Sequence, residues 1–268
     1  MENQIFIILL AFIMEVVDSG LGMGFGTVLS PFLIIIGFSP KIVVPSILIS
    51  QAIGGFVASV FHNKHGSANL LPSYLRSNHD SKKHIHISRD LRIALFVGAL
   101  GVGASVAGAL LGVKISKELM KLYIGILVTI VGIVLLIKQR FNFSWRKITA
   151  LAFISAFNKG FSGGGFGPLM TGGQILSGNH AKRSIVSTTL SEVPICMAGF
   201  LTYYFAKNIF SYDLMIALCI GAFFGGIIGP LITKHINTKI LQVTIAILVL
   251  SEGIWLLYQY IFHLSIGG

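Results

Sequence analysis

The sequence predicts an all-α polytopic membrane protein, and three observations carry that fold class. Of the 268 residues, 54% are hydrophobic and only 11% charged, against roughly 25% charged in soluble domains. Mean hydropathy is +0.85, and several apolar runs reach the ~18–20 residues that a helix needs to cross a bilayer. The third observation is a repeat, set out below, in which the second half of the chain follows the first. A membrane β-barrel would show alternating segments of ~10 residues instead.

Apolar stretches fall at 5–36, 42–61, 93–113, 119–137, 148–178, 184–206, 212–233 and 240–262. The first opens on "IFIILLAFIM", is broken by "DSGLGMGFG" at 18–26 and resumes as "TVLSPFLIII". The fifth is broken by "NKGFSGGGFGP" at 158–168. Three consecutive glycines, Gly163 to Gly165, disfavour a continuous helix. Gly101, Gly103, Gly108 and Gly112 are spaced instead for close helix packing. A hydrophilic loop at about 62–92 holds His62, His65, His79, His84 and His86 among lysines and arginines, and reads as a solvated cytoplasmic loop. The start "MENQ" has no basic residue before the apolar run, which makes a poor signal peptide, so the first segment is expected to stay. Cys196 and Cys219 lie inside apolar segments and read as packing residues, so neither a disulfide framework nor a zinc site is expected.

A shift of 141 residues places Gly22, Gly24, Phe25, Gly26 and Gly37 on Gly163, Gly165, Phe166, Gly167 and Gly178. The register continues without a gap through Lys41 on Lys182, Ser46 on Ser187, Ser50 on Ser191 and Gln51 on Glu192. Beyond the longer loop the shift becomes 121, which sets Gly108 on Gly229 and "IGILVTIVGIVLL" on "IAILVLSEGIWLL". The chain therefore divides at 1–140 and 141–268 into two repeats of one membrane domain. If 5–36 and 148–178 each cross once, loop Lys and Arg divide almost evenly between the two sides. If each enters and leaves on one face as a pair of short helices, the basic residues gather on one side, as the positive-inside rule favours. The halves are then inverted, each a Gly-rich re-entrant or broken-helix hairpin followed by three transmembrane helices. Both termini lie outside. Residues 5–17 make a helix of ~20 Å, too short for the ~30 Å hydrocarbon core, so "DSGLGMGFG" reads as a hairpin tip within the membrane. Irregular backbone survives there only when buried in protein or lining a cavity. Inverted-repeat transporters place substrate at such a point, with half-helix N-termini aimed at anions.

Ionisable side chains within membrane segments are costly and functional by default. Glu15, Asp18, Lys159, Glu192 and Glu252 are the candidates. In the repeat Asp18 falls on Lys159, so the two are expected to lie close together, one at each tip. Lys159 is the expected cation for an anionic substrate. Asp18, Glu192 and Glu252 are candidates for proton coupling or an ion pair. Asn158, Ser19 and Ser162 flank the tips and can bond oxyanions or cap the half-helices. Gly22, Gly24, Gly163, Gly164 and Gly165 would offer backbone N–H groups, and Gln51 and Ser191 would line the site. Glu15 is placed too far up its helix to reach substrate.

These residues resemble the sulfite exporter TauE/SafE family of membrane permeases. The resemblance rests on Gly22 to Gly26, then Pro31, then "GFSPKIVVPSILISQ" at 37–51, and on "GFSGGGFGP" at 160–168, and covers nearly the whole chain. Two departures stand out: Gly-x-Gly-x-Gly replaces a glycine run in the first half, and Gly178 to Ala181 lacks the proline of Gly-x-x-Pro. Membership implies secondary transport of a small sulfur-containing anion (sulfite, thiosulfate or an organosulfonate) across the cytoplasmic membrane of a prokaryote. No P-loop GxxxxGK[ST] is present, in keeping with a mechanism without ATP. Expected partners are the anionic solute and the bilayer. No cofactor is expected, nor a metal, since the histidine spacing matches no tight site; nucleic acid is not expected either, because the formal charge of +11 gathers in loops as topology requires. The oligomeric state stays open, a homodimer included. An enzyme would need a nucleophile–base or metal constellation, and the membrane segments hold only His180 and His235, near their edges.

A passive anion channel is the alternative, and it would share the cationic site without needing a titrating carboxylate. Asp18→Asn is expected to abolish proton-linked flux in a transporter and largely to spare a channel; flux assays with and without a pH gradient separate the two.

Overall fold

The computed structural model describes residues 2–64, 88–136, 145–176, 181–206, 209–232 and 238–266. These form ten helices and no strand: α1 (Glu2–Leu21), α2 (Phe25–Ile35), α3 (Pro40–Lys64), α4 (Arg89–Lys114), α5 (Lys117–Leu136), α6 (Trp145–Ser162), α7 (Phe166–Leu176), α8 (Ala181–Phe205), α9 (Tyr212–Ile232) and α10 (Thr238–Ile266). Among the described residues, α1, α3, α4, α8 and α9 contain segments long and apolar enough to cross a bilayer. Shifting α2 and α3 by 141 residues lays them on α7 and α8 end for end.

The helix surface is inverted relative to a soluble protein. Leu9, Ile13, Phe56, Phe153, Phe224 and Trp255 are exposed, while Glu15, Asp18, Gln51, Lys159 and Glu192 are buried. That is the distribution lipid requires, since apolar side chains gain nothing by leaving hydrocarbon. Small residues bring the helices together instead. Gly108 of α4 lies against the Phe157 backbone of α6, and Gly160 of α6 against that of Ser105. On the other side Gly221 and Gly225 of α9 lie against Ile8, Phe12 and Glu15 of α1. These are the main pairings of α1 with α9 and of α6 with α4. Helix α3 also packs along α9 and on α8, α8 packs along α4, and α5 pairs with α10. Gly101 and Gly112 are packing glycines as expected, against Ile195 and Tyr203; Gly103 has open space before it.

Both Gly-rich segments break their helices and turn the chain back. Positive φ at Gly22 (71°) and Gly24 (137°) separates α1 from α2, and at Gly163 (76°) and Gly165 (80°) separates α6 from α7. An L side chain rarely adopts such angles. Helix α2 then doubles back along α1, bringing the Phe32 ring to 6.4 Å from that of Phe6. Likewise Gly173 of α7 packs on Leu151 of α6. The arms are unequal. Helix α1 does not stop at residue 17 but runs 20 residues, about 30 Å; the Gly22 N–H still donates to the Asp18 carbonyl four residues back, so the helical ladder carries on to the first positive-φ glycine. Helix α2 has 11 residues, about 16 Å.

The expected loop is also shorter at its start. Residue 62 is not solvated: α3 continues to Lys64, and His62 is buried with Nε2 2.8 Å from the Ser19 carbonyl oxygen. His65, His79, His84, His86, Gly178, His180 and His235 lie outside the described residues.

The two breaks meet backbone to backbone. A Cβ at Gly26 would collide with the Gly163 carbonyl oxygen, one at Gly164 would stand 2.7 Å from that of Gly26, and one at Gly167 2.5 Å from that of Gly22. Gly26→Ala is therefore expected to cost about 1–3 kcal/mol through overpacking. Gly103→Ala, with open space before it, should be neutral or stabilising by up to about 1 kcal/mol. Unfolding of both purified variants in detergent, beside wild type, checks the contrast.

Candidate functional site

Four polar side chains converge where the breaks meet. Lys159, in the last turn of α6, has Nζ 2.7 Å from Glu192 Oε1 of α8. The same ammonium donates a hydrogen bond to Gln51 Oε1 of α3. The Gln51 amide then donates through Nε2 to Asp18 Oδ2 at 3.1 Å. Asp18 Oδ1 accepts from the backbone N–H of Phe25 at 3.2 Å, at the start of α2. All four side chains are buried. Donation runs outward from the ammonium both ways, to the Glu192 carboxylate and through the Gln51 amide to the Asp18 carboxylate.

Equivalent positions of the two repeats make equivalent contacts here. Asp18 bonds Gln51 within the first half, and their counterparts Lys159 and Glu192 pair within the second. The bond from Lys159 to Gln51 joins the halves. The expected direct pair of Asp18 with Lys159 is thus replaced: Glu192 holds the ammonium, and Gln51 stands between Lys159 and Asp18. The reason is register, since Gln51 and Glu192 project from α3 and α8 into the space between the two tips.

Gly26 belongs to this place, which its position in the glycine motif does not reveal. A Cβ there would stand 2.9 Å from Lys159 Nζ and 3.1 Å from Gln51 Oε1. The other tip glycines face elsewhere. Gly22 lies against Thr171 and Ile185, Gly163 against Val44 and Ile47, Gly164 against Gly26 and Thr27, and Gly165 against Leu127 and Asn158. Gly24 closes the break before α2 without a side-chain cap. The open backbone groups are satisfied across the junction. Ser30 Oγ donates to the Ser162 carbonyl at 2.7 Å, Thr171 Oγ1 to that of Gly22 at 2.9 Å, and Gly165 N–H to Thr27 Oγ1 at 3.2 Å.

The remaining predicted residues divide. Asn158, beside Lys159, accepts a hydrogen bond from Tyr123 of α5. Ser162 donates to the Asn158 carbonyl at 2.8 Å and accepts from Gly164 N–H at 3.3 Å, so it caps the break. Ser19 and Ser191 do not join the network. Their hydroxyls bond carbonyls of their own helices, those of Glu15 and Thr188. A Cβ at Gly229 of α9 would collide with Ser19 Oγ, which places that hydroxyl on the α9 side. Glu252 is buried on α10, which packs on α5 and α2 and supplies no member of the network.

A second polar group was not anticipated. Gln174 Nε2 of α7 donates to Thr188 Oγ1 at 3.1 Å, and Ser187 Oγ donates to Gln174 Oε1 at 2.9 Å. Both helices come from the second half. At the repeat-related positions the first half has Leu33 for Gln174, Val43 for Ser184, Ile47 for Thr188 and Leu48 for Thr189. All eight are buried. Reading the repeat register position by position beyond its identities would have revealed this asymmetry.

Comparison with known proteins gives one match. Residues 78–256, two thirds of the chain, match the family model described as "Sulfite exporter TauE/SafE". No curated protein and no solved structure matches the chain.

Removing one partner of a buried ion pair leaves an uncompensated charge and costs about 3–5 kcal/mol. Lys159→Met is expected to lose that much, and adding Glu192→Gln to recover most of it. A double-mutant cycle on unfolding in detergent measures the coupling.

Proposed function

The chain belongs to the sulfite exporter TauE/SafE family of membrane transporters, and on that premise we propose that it carries a small sulfur-containing anion by alternating access, coupled to protons. The observation that carries this reading is the buried Lys159 ammonium at the junction of two broken helices, held by Glu192 and Gln51. A permanently buried cation is expensive unless paired. Here its counter-charge sits on a side chain that protonation would neutralise. Protonation of Glu192 would release Lys159, and an oxyanion would take the vacated place. Gln51 and the Phe25 N–H, both now spent on Asp18, supply further donors within the same network. In the empty state Asp18 occupies the anion position at the α2 N-terminus, where helix dipole and free N–H groups favour negative charge.

Further features support the transport reading. The hydroxyl and amide groups of Gln174, Ser187 and Thr188 line a buried face between α7 and α8. It begins near Lys182 and Arg183, at the basic start of α8, and runs toward Glu192. We take it as the route to one membrane face, with Leu33, Val43, Ile47 and Leu48 sealing its counterpart. The inverted arrangement, with both termini outside the cytoplasmic membrane of a prokaryote and the division at 140/141, belongs to the same proposal. Its support is the positive-inside bias, the doubling back of α2 and α7, and the reciprocal pairing of α1 with α9 and α6 with α4.

The test is a thermal-shift screen of purified wild type beside Lys159→Met/Glu192→Gln, a variant that carries neither charge of the ion pair. The ligands are sulfite, thiosulfate, sulfate, taurine, sulfoacetate and acetate. A ligand at ~100 times its Kd adds roughly 2.7 kcal/mol to a reversible unfolding equilibrium. Stabilisation of wild type by a sulfur anion, absent in the variant, is expected. An equal shift in both proteins would remove Lys159 from the site, and no shift with any anion would end the sulfur-anion reading.

A further inference from the structure

Glu15 has a place in the structure that the network above does not use. It lies three residues before Asp18 on the same face of α1 and is fully buried. Neither carboxyl oxygen has a hydrogen-bond partner among the described residues. Two glycines make the space it fills. A Cβ at Gly54 of α3 would stand 2.7 Å from Glu15 Cδ and 2.9 Å from each oxygen, and one at Gly225 of α9 2.6 Å from Glu15 Cβ.

The donor inventory around the three carboxylates is unequal. Asp18 receives two N–H donors, and Glu192 receives the ammonium of Lys159. Both settings suit an ionised carboxylate, which only accepts. Among the described residues Glu15 receives no donor and no salt-bridge partner, and an isolated ionised carboxylate is the state a buried site tolerates least. The cluster holds three carboxylates against one ammonium. A substrate anion would add still more negative charge.

We infer that Glu15 is a proton-binding site: its carboxyl, wedged between Gly54 and Gly225 beside the Asp18–Gln51–Lys159–Glu192 chain, holds the coupling proton while the site is empty. This rests on the transport reading for its use, not for its chemistry. Among the described residues, five ionisable side chains lie around Glu15. Helix α1 brings Asp18, α8 brings Glu192 and Cys196, and α6 brings Lys159. Helix α3 brings His62, whose ring binds the Ser19 carbonyl one turn along α1. Helix α2 has no ionisable residue, and α9 meets Glu15 through Gly225.

Two measurements decide it. The first is infrared spectroscopy of the purified protein at neutral pH in H₂O and D₂O, reading the C=O stretch of protonated carboxyls. Wild type should show a component that Glu15→Gln removes and Asp18→Asn leaves in place. A spectrum unchanged by Glu15→Gln overturns the inference. The second uses proteoliposomes and ³⁵S-labelled thiosulfate or sulfite, comparing uptake driven by a pH gradient with exchange at equal pH. In Glu15→Gln the ratio of driven uptake to exchange should fall at least about tenfold, and Glu15→Asp should restore much of it. A ratio equal to wild type overturns the coupling role. Glu15→Met replaces Glu15→Gln in both measurements if the latter does not fold. A wild type that moves neither anion brings down the transport reading, and the infrared band still decides whether Glu15 holds a proton.

Discussion

Everything at the centre of this protein depends on bare backbone touching bare backbone. Gly26 lies on the Gly163 carbonyl, Gly164 on that of Gly26, and Gly167 on that of Gly22. Any side chain at these positions would hold the two broken helices apart. Backbone inside a bilayer must also find every hydrogen bond within the protein. Ser30, Thr171 and Thr27 meet that demand by bonding across the junction rather than within their own halves. The same contact brings Asp18 and Lys159, one turn back on each first arm, to a common centre with Gln51 and Glu192.

That convergence would be unstable without its order. A lone buried charge is costly, and a buried pair repays its desolvation only when the remaining lone pairs and protons are also satisfied. Gln51 does this for both ends, accepting from Lys159 and donating to Asp18. A carboxylate at position 51, as at its counterpart Glu192, would set a third negative charge beside Asp18. The exchange of Glu for Gln between the repeats is therefore what lets one cation serve the chain of four.

The repeats differ in a second, larger way. Gln174, Ser187 and Thr188 of α7 and α8 are hydrogen-bonded to one another, while their counterparts on α2 and α3 are Leu33, Ser46 and Ile47, and the Ser46 hydroxyl bonds a carbonyl of its own helix. Apolar packing seals against water and ions; a buried hydroxyl and amide network can exchange its bonds for those of a polar solute. Two halves with the same helix order thus carry different side chains between equivalent helices.

The sequence by itself determined the class, the two glycine breaks, the register between the halves and the family. Composition dictates a lipid-facing exterior, and consecutive glycines disfavour a continuous helix at 163–165. The recurrence of the same residues 141 positions apart is visible without any coordinates. The identity of the ionisable residues was legible too, because charge in an apolar run stands out. Which of them meet was decided only by the tertiary structure. Position along a helix does not say which way a side chain points around the axis. Thus Ser19 bonds its own helix on the α9 side, Gln51 inserts between Lys159 and Asp18, and Glu15 ends in a glycine-lined space between α3 and α9. His62 was assigned to solvent because its neighbours in sequence are polar; a buried carbonyl of α1 holds it inside. Periodicity and composition are properties of one segment, whereas the partner of a buried charge is a property of several helices at once.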